Sequence, residues 1–213
     1  MVLLQTTFCW TIFYALYWLL YRQETFFQLN RLYLIVTLVL GVVLPWNVTK
    51  WLAERGASPT VTQWLDPVVV GSQRLEIGVS DWVISYKEGL FYIYFLGCVV
   101  VAIRFLFGLK KLYFLYKKSE KQYKNGYILA KIEKKELPFS FFNIVFWSDA
   151  NDQNDAATTA LMLRHEVAHI QQRHSYDVSF LEILSIFFWC SPLIYCYKKS
   201  LRTVHEYLAD EAA

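Results

Sequence analysis

The sequence predicts a mainly α-helical, integral membrane fold carrying a small β-sheet and a Pro-broken, membrane-associated helical hairpin. Three observations carry that expectation. Apolar residues make up 56% of the 213 positions and charged residues only 18%, with a mean hydropathy of +0.28. The apolar residues gather into charge-poor runs long enough to cross a bilayer. Short aromatic and β-branched stretches bounded by turn residues then follow the last of these runs. This composition excludes a disordered chain.

The first helix is expected over about 2–21, because Met1 to Tyr21 holds no charged residue. At 1.5 Å rise per residue it covers roughly the 30 Å hydrocarbon thickness. The run lacks a basic start and a small-residue cleavage site, and a second run follows one short loop, so it reads as a retained helix rather than a signal peptide. The second helix is expected over 32–49 and the third over 89–109, interrupted only by Arg104, which is close enough to the inner boundary to snorkel toward headgroups. Residues 1–110 thus form a transmembrane unit, with loop 50–88 between its second and third helices.

Orientation follows from lysine and arginine. Both early loops are nearly balanced in charge, whereas Arg104 to Lys135 is dense in basic residues against only Glu120 and Glu133. The positive-inside rule makes that segment cytoplasmic, the N-terminus external and loop 50–88 external, in a multi-pass bacterial-type plasma membrane. Anionic lipid accounts for the lysines, and a net charge of +3 gives no reason to expect direct nucleic-acid binding. Cys9, Cys98, Cys190 and Cys196 lie in apolar segments without metal or disulfide spacing and read as buried hydrophobes.

Residues 111–213 form the second unit. Asn125-Gly126 signals a turn, Tyr127 to Ile132 a strand, and Phe139 to Trp147 a further strand after Pro138. Ser148 to Asp155 reads as a loop, with Asn154 or Asp155 capping a helix that starts near Ala156.

That helix contains His165-Glu166-Val167-Ala168-His169. Two imidazoles four residues apart share one helical face and can reach a single tetrahedral ion, which this donor type points to as Zn2+. Glu166 is placed to accept a proton from a zinc-bound water, making it the catalytic residue. A catalytic zinc needs a third protein ligand, and Glu206 in His205-Glu206-Tyr207-Leu208-Ala209-Asp210 is the best candidate. Asp210, one turn later, is placed to accept the outer imidazole N–H of a ligand histidine, His165 being the preferred one. Arg202, one turn earlier, can pair with Glu206 or Asp210. His205 and Tyr207 are weaker candidates for steadying a transition-state oxyanion, and His174 falls off the ligand face.

One geometric conflict constrains the C-terminal part. Val178 to Tyr197 is apolar enough for another crossing, yet a straight crossing would put Glu206 across the bilayer from the histidines. A hairpin over 176–206, broken at Ser191-Pro192, resolves it, and Glu182 in its first arm argues against a lipid-exposed span. The strand from Phe139 reads either as plain core or as a cradle for an extended peptide, lined by Ser140, Phe141, Phe142 and Asn143.

These features together resemble the BlaR/MecR family of membrane zinc metallopeptidases. The resemblance runs over essentially the whole chain: three N-terminal apolar helices, a basic connector, Pro138-Phe139-Ser140-Phe141, the HExxH element, and Glu206 with Asp210 after an apolar helix. It implies a gluzincin-type site with His165, His169 and Glu206 as ligands and Glu166 as base. It also implies signal transduction ending in self-cleavage, in cis or in trans, and cleavage of a cytoplasmic transcriptional repressor. Family members that sense β-lactams carry a Ser-x-x-Lys tetrad, which is missing from these residues, and the chain ends at Glu211-Ala212-Ala213 in a helical pattern. That reads as an excised part or as a member with another sensor. Two other readings compete: a quality-control or prenyl-protein membrane gluzincin protease, and a non-catalytic transmembrane receptor with a structural zinc.

Overall fold

The computed structural model describes residues 2–21, 24–56, 79–133, 137–148 and 155–213. Helix α1 (Val2–Leu16) runs into a π-helical turn at Tyr17–Tyr21, followed by α2 (Phe27–Gly56) and α3 (Val79–Lys118). Within them Leu3–Tyr21, Phe27–Asn47 and Glu88–Lys118 are long and apolar enough to cross a membrane. Two of the helices exceed the spans expected from the apolar runs. α2 starts at Phe27 rather than 32 and ends at Gly56, and α3 begins at Val79 and passes 109 to reach Lys118. The expected loop 50–88 is therefore helical at both ends, and its centre, 57–78, lies outside the described residues.

The extra length of α3 has a packing reason. Leu112, Leu115 and Tyr116, at i, i+3 and i+4, form an apolar stripe against Ala130, Ile132 and Phe146 of a four-stranded sheet. That sheet comprises β1 (Glu120–Lys124), β2 (Tyr127–Ile132), β3 (Phe139–Phe141) and β4 (Ile144–Ser148), in the order β1-β2-β4-β3. β1 lies in the basic connector and was not expected as a strand; it pairs with β2 across Asn125-Gly126, where Gly126 takes φ +95. The single strand expected over Phe139 to Trp147 is two antiparallel strands, because Phe142 adopts φ 50 and turns the chain. β4 then runs parallel to β2.

Strand alternation divides the sheet into two faces. Leu129, Val145 and Trp147 face Met162, Leu163 and Ile170 of α4 (Ala156–Gln171), while the other face meets α3. The sheet is thus held between the end of a long apolar helix and the helix carrying HExxH.

The expected hairpin is present. α5 (His174–Phe187) ends in a short turn, Ser191 occupies the N-cap of α6 (Pro192–Ala212), and Pro192 starts the new helix at a position where a missing N–H costs nothing. Its apolar stripe, Ile194, Tyr197, Leu201, Val204 and Leu208, packs with Trp10, Leu34 and Leu38 of α1 and α2 in the largest core. The tip sits deep among the apolar helices. Phe188 packs on Trp10 at a tilt, with ring centroids 4.8 Å apart, Trp189 donates to the Tyr94 carbonyl of α3 at 3.2 Å, and Tyr94 donates to the Phe187 carbonyl at 2.6 Å. Glu182 is neutralised within the hairpin by Lys198 at 2.9 Å.

Close approach around Trp10 depends on Gly41, since a Cβ there would fall inside the indole ring, which is fully buried and donates to the Leu38 carbonyl at 3.0 Å. Gly41→Ala should destabilise the protein by about 1–3 kcal/mol, the usual cost of overpacking a filled core. Gly108→Ala, where a Cβ meets nothing within 4 Å, should cause no loss. Thermal melts of the two variants in detergent check the pair.

Candidate metal centre

The site is assembled from α4, α6 and the edge strand β3. Asp155 starts α4: its side chain accepts the Thr158 N–H at 3.2 Å and also bonds the Thr158 hydroxyl, so the second of the two expected caps is the one used. His165 and His169 then fall one turn apart on the helix. The hairpin returns α6 beside α4, and Gln172 ties the two by donating to the Leu208 carbonyl at 3.0 Å.

Three atoms converge there. His165 Nε2 and His169 Nε2 lie 3.2 Å apart, and Glu206 Oε2 lies 3.5 Å from the first and 3.9 Å from the second. Ligands held tetrahedrally about 2.0–2.2 Å from one zinc would be separated by roughly 3.3–3.6 Å, so the spacing fits a His2Glu donor set. The outer nitrogens strengthen the fit. His165 Nδ1 lies 3.0 Å from Asp210 Oδ1, and His169 Nδ1 lies 2.7 Å from His174 Nδ1. With each Nδ1–H given outward, both Nε2 atoms present lone pairs to one another and to a carboxylate, an arrangement that a cation among them stabilises. His165, His169 and Glu206 are the one group of metal-competent side chains found among the described residues, and each offers one atom that could ligate an ion.

Local electrostatics favour this use. Burial lowers the pKa of His169, keeping its lone pair available at neutral pH. His174 is pulled down to about 3, first by burial and then by the neighbouring imidazoles and Arg31, so it is a neutral acceptor for the His169 N–H. Its Nε2 faces Gln172 Oε1 at 3.1 Å, which completes the tautomer assignment. Burial raises the pKa of Glu166, against the hydrogen bonds it accepts from the hydroxyl and backbone N–H of Ser140. A carboxyl poised upward in this way is suited to taking and returning a proton.

A cleft of about 340 Å³ opens on these groups, lined by Ser140 and Phe141 of β3 together with His165, Glu166, His169 and Glu206. Among the described residues β3 is an edge strand, and Ser140 directs its N–H to Glu166, so the edge away from β4 faces the cleft. Of the four residues expected to line a substrate strand, Ser140 and Phe141 do border the cleft. Phe142 occupies the turn, giving its N–H to Ser175 Oγ at 2.8 Å and its ring to Tyr176, and Asn143 is an exposed turn residue.

The other expected residues differ in their relation to the cleft. Arg202 borders the cleft but forms no ion pair with Glu206 or Asp210. His205 also borders the cleft; it is buried, stacks on His174 with centroids 4.0 Å apart, and places Nε2 3.0 Å from Asp177 Oδ2. Tyr207 points to the opposite side of α6, against Phe27 of α2. His174 and Asp177 were missed as partners of the site because helical spacing from His169 assumes an unbroken helix. Arg173 instead takes a left-handed φ of 58 between α4 and α5 and swings His174 back onto His169.

No model of a known protein family matches the chain, and no curated protein matches it. Asp210→Ala should weaken zinc binding by about 10–100-fold, the usual effect of deleting a ligand's outer partner. Asp210→Asn, which retains an acceptor, should weaken it less; competition against a chromophoric chelator reads both.

Proposed function

We propose that this chain is a membrane-embedded zinc metalloendopeptidase. The observation that carries the reading is the convergence of His165 Nε2, His169 Nε2 and Glu206 Oε2 within 3.9 Å, beside a buried Glu166 that accepts the Ser140 N–H of β3. His165, His169 and Glu206 would hold the ion, which supplies Lewis-acid polarisation of a peptide carbonyl and acidification of water when bound. Glu166 takes the proton from the attacking water and returns it to the leaving amine. The β3 edge aligns an extended peptide by main-chain pairing at Ser140, and the Ser140 hydroxyl and N–H position the Glu166 carboxyl until substrate enters.

Three helices long and apolar enough to cross a membrane support residence in the bilayer as a multi-pass protein. The lysine-rich stretch from Lys110 supports a cytoplasmic metal site and an external N-terminus. The resemblance to the BlaR/MecR family supports a signalling role in a bacterial-type membrane, with a cytoplasmic repressor-type protein or the chain itself as substrate. Three converging ligands rather than four favour catalysis over a structural zinc.

Glu166→Gln should retain zinc and lose peptide-bond cleavage by at least about a thousandfold, since the group that moves the proton is removed without disturbing the ligands. Glu206→Gln should lower zinc retention and activity together. Metal analysis of the purified protein, paired with an assay of self-cleavage and of casein-type peptides with and without chelator, tests the proposal. Full cleavage by Glu166→Gln would end it.

A further inference from the structure

We propose that Arg31 of α2 is a positioning residue for the metal centre, acting through Asp177, His205 and His174 on the ligand His169. The inference rests on the zinc reading above and adds a route by which one of the apolar helices governs the site.

The links are continuous. Arg31 Nε–H donates to Asp177 Oδ2 at 2.7 Å, and the same oxygen accepts the His205 Nε2–H at 3.0 Å. The His205 ring lies face to face with His174, 4.0 Å between centroids and 9° from parallel. His174 Nδ1 in turn accepts the His169 Nδ1–H at 2.7 Å, leaving His169 Nε2 for the ion. Each link fixes a different coordinate. Arg31 and His205 together locate the Asp177 carboxylate, Asp177 sets the plane of His205, and that plane together with Gln172 sets the plane of His174. A histidine ligand whose outer N–H loses its aligned acceptor binds metal less well.

The first link differs in kind from the rest. Asp177, His205, His174 and His169 all belong to α4, α5 and α6, whereas Arg31 comes from the start of α2. Among the described residues no other ion pair joins one of the three long apolar helices to this helical trio; Lys118 of α3 pairs with Glu133 instead. The pair is also sheltered, with side-chain exposures of 23% for Arg31 and 13% for Asp177, so water does not fully replace a lost partner. A shift of α2 along its axis or away from α5 therefore changes the Asp177 carboxylate first and the orientation of His169 in consequence.

The test is a cycle on the full chain in detergent micelles or nanodiscs, with zinc affinity read by chelator competition. Arg31→Ala should raise the zinc dissociation constant by about three- to tenfold, less than the roughly 10–100-fold expected for His174→Ala, which removes the partner of His169 itself. In a His174→Ala background Arg31→Ala should add nothing, because the path is already cut. An equal loss in both backgrounds would mark general loosening and overturn the proposal, as would unchanged affinity in a folded Arg31→Ala protein. Tryptophan-fluorescence melts of the metal-free variants establish folding. Should Arg31→Ala not fold, Asp177→Asn, which preserves volume, runs the same cycle with the same expected and overturning outcomes. A wild-type protein that binds no zinc overturns both this inference and the function proposed above; one that binds zinc with Arg31→Ala unaffected overturns this inference alone.

Discussion

Because Pro192 cannot extend α5 and is well suited to begin a new helix, the chain reverses at the turn before it, and α6 runs back alongside α4. Fourteen residues separate Pro192 from Glu206, about 21 Å of helix, so the carboxylate arrives at the level of the histidines after a full excursion among α1, α2 and α3. The donor set of the candidate centre depends on that return. Without it the histidine pair would have no carboxylate beside it, His165 would have no carboxylate behind it, and Gln172 would have no α6 carbonyl to hold.

The return is stabilised by shape more than by charge. Trp10, Phe188 and Tyr197 form an aromatic cluster with tilted rings, worth about 0.5–1.5 kcal/mol per pair beyond area burial, and small residues at Gly41 and Gly97 admit the indoles of Trp10 and Trp189. In a bilayer this kind of packing replaces the hydrophobic drive that water supplies to a soluble core. Polar groups at depth are matched within the hairpin itself: Lys198 serves both Glu182 and the Ser185 hydroxyl, at 2.9 and 2.8 Å. The hairpin thus fits between apolar helices despite its charges, and its rigidity is passed on to Glu206.

Around the metal group, the two histidines are oriented by different means. His165 faces an exposed carboxylate, Asp210, within the same α4–α6 pair. His169 faces a buried neutral imidazole, whose own position depends on α5 and, at one remove, on α2. Asp177 illustrates the balance there: burial pushes its pKa up, but hydrogen bonds from His205 and Arg31 outweigh that and hold it below the ordinary carboxylate range. Its contribution to stability is accordingly present above the unfolded carboxylate pKa, near 3.9, and lost as pH falls through the lower folded value. One histidine of the candidate centre is therefore governed locally and the other by tertiary contacts that reach the apolar helices.

Local pattern alone determined the three long apolar helices, the Asn125-Gly126 turn, the helix beginning near Ala156 with Asn154 or Asp155 as its cap, the spacing of His165 and His169, and the need for a break at Ser191-Pro192. Each of these follows from a few neighbouring residues: charge-free length, a glycine at positive φ, a capping oxygen, a 3.6-residue period, a missing N–H. Tertiary structure decided the rest. Hydropathy marks the apolar part of a helix and not its ends, so the first turn of α2 with Arg31 and the last turns of α3 against the sheet became visible only when their partners were in place. The left-handed residues Phe142 and Arg173, which divide one expected strand and bring His174 onto His169, sit where side-chain sterics disfavour them; Phe142 is held by Ser175, distant in the chain, and Arg173 by the helix ends on either side of it.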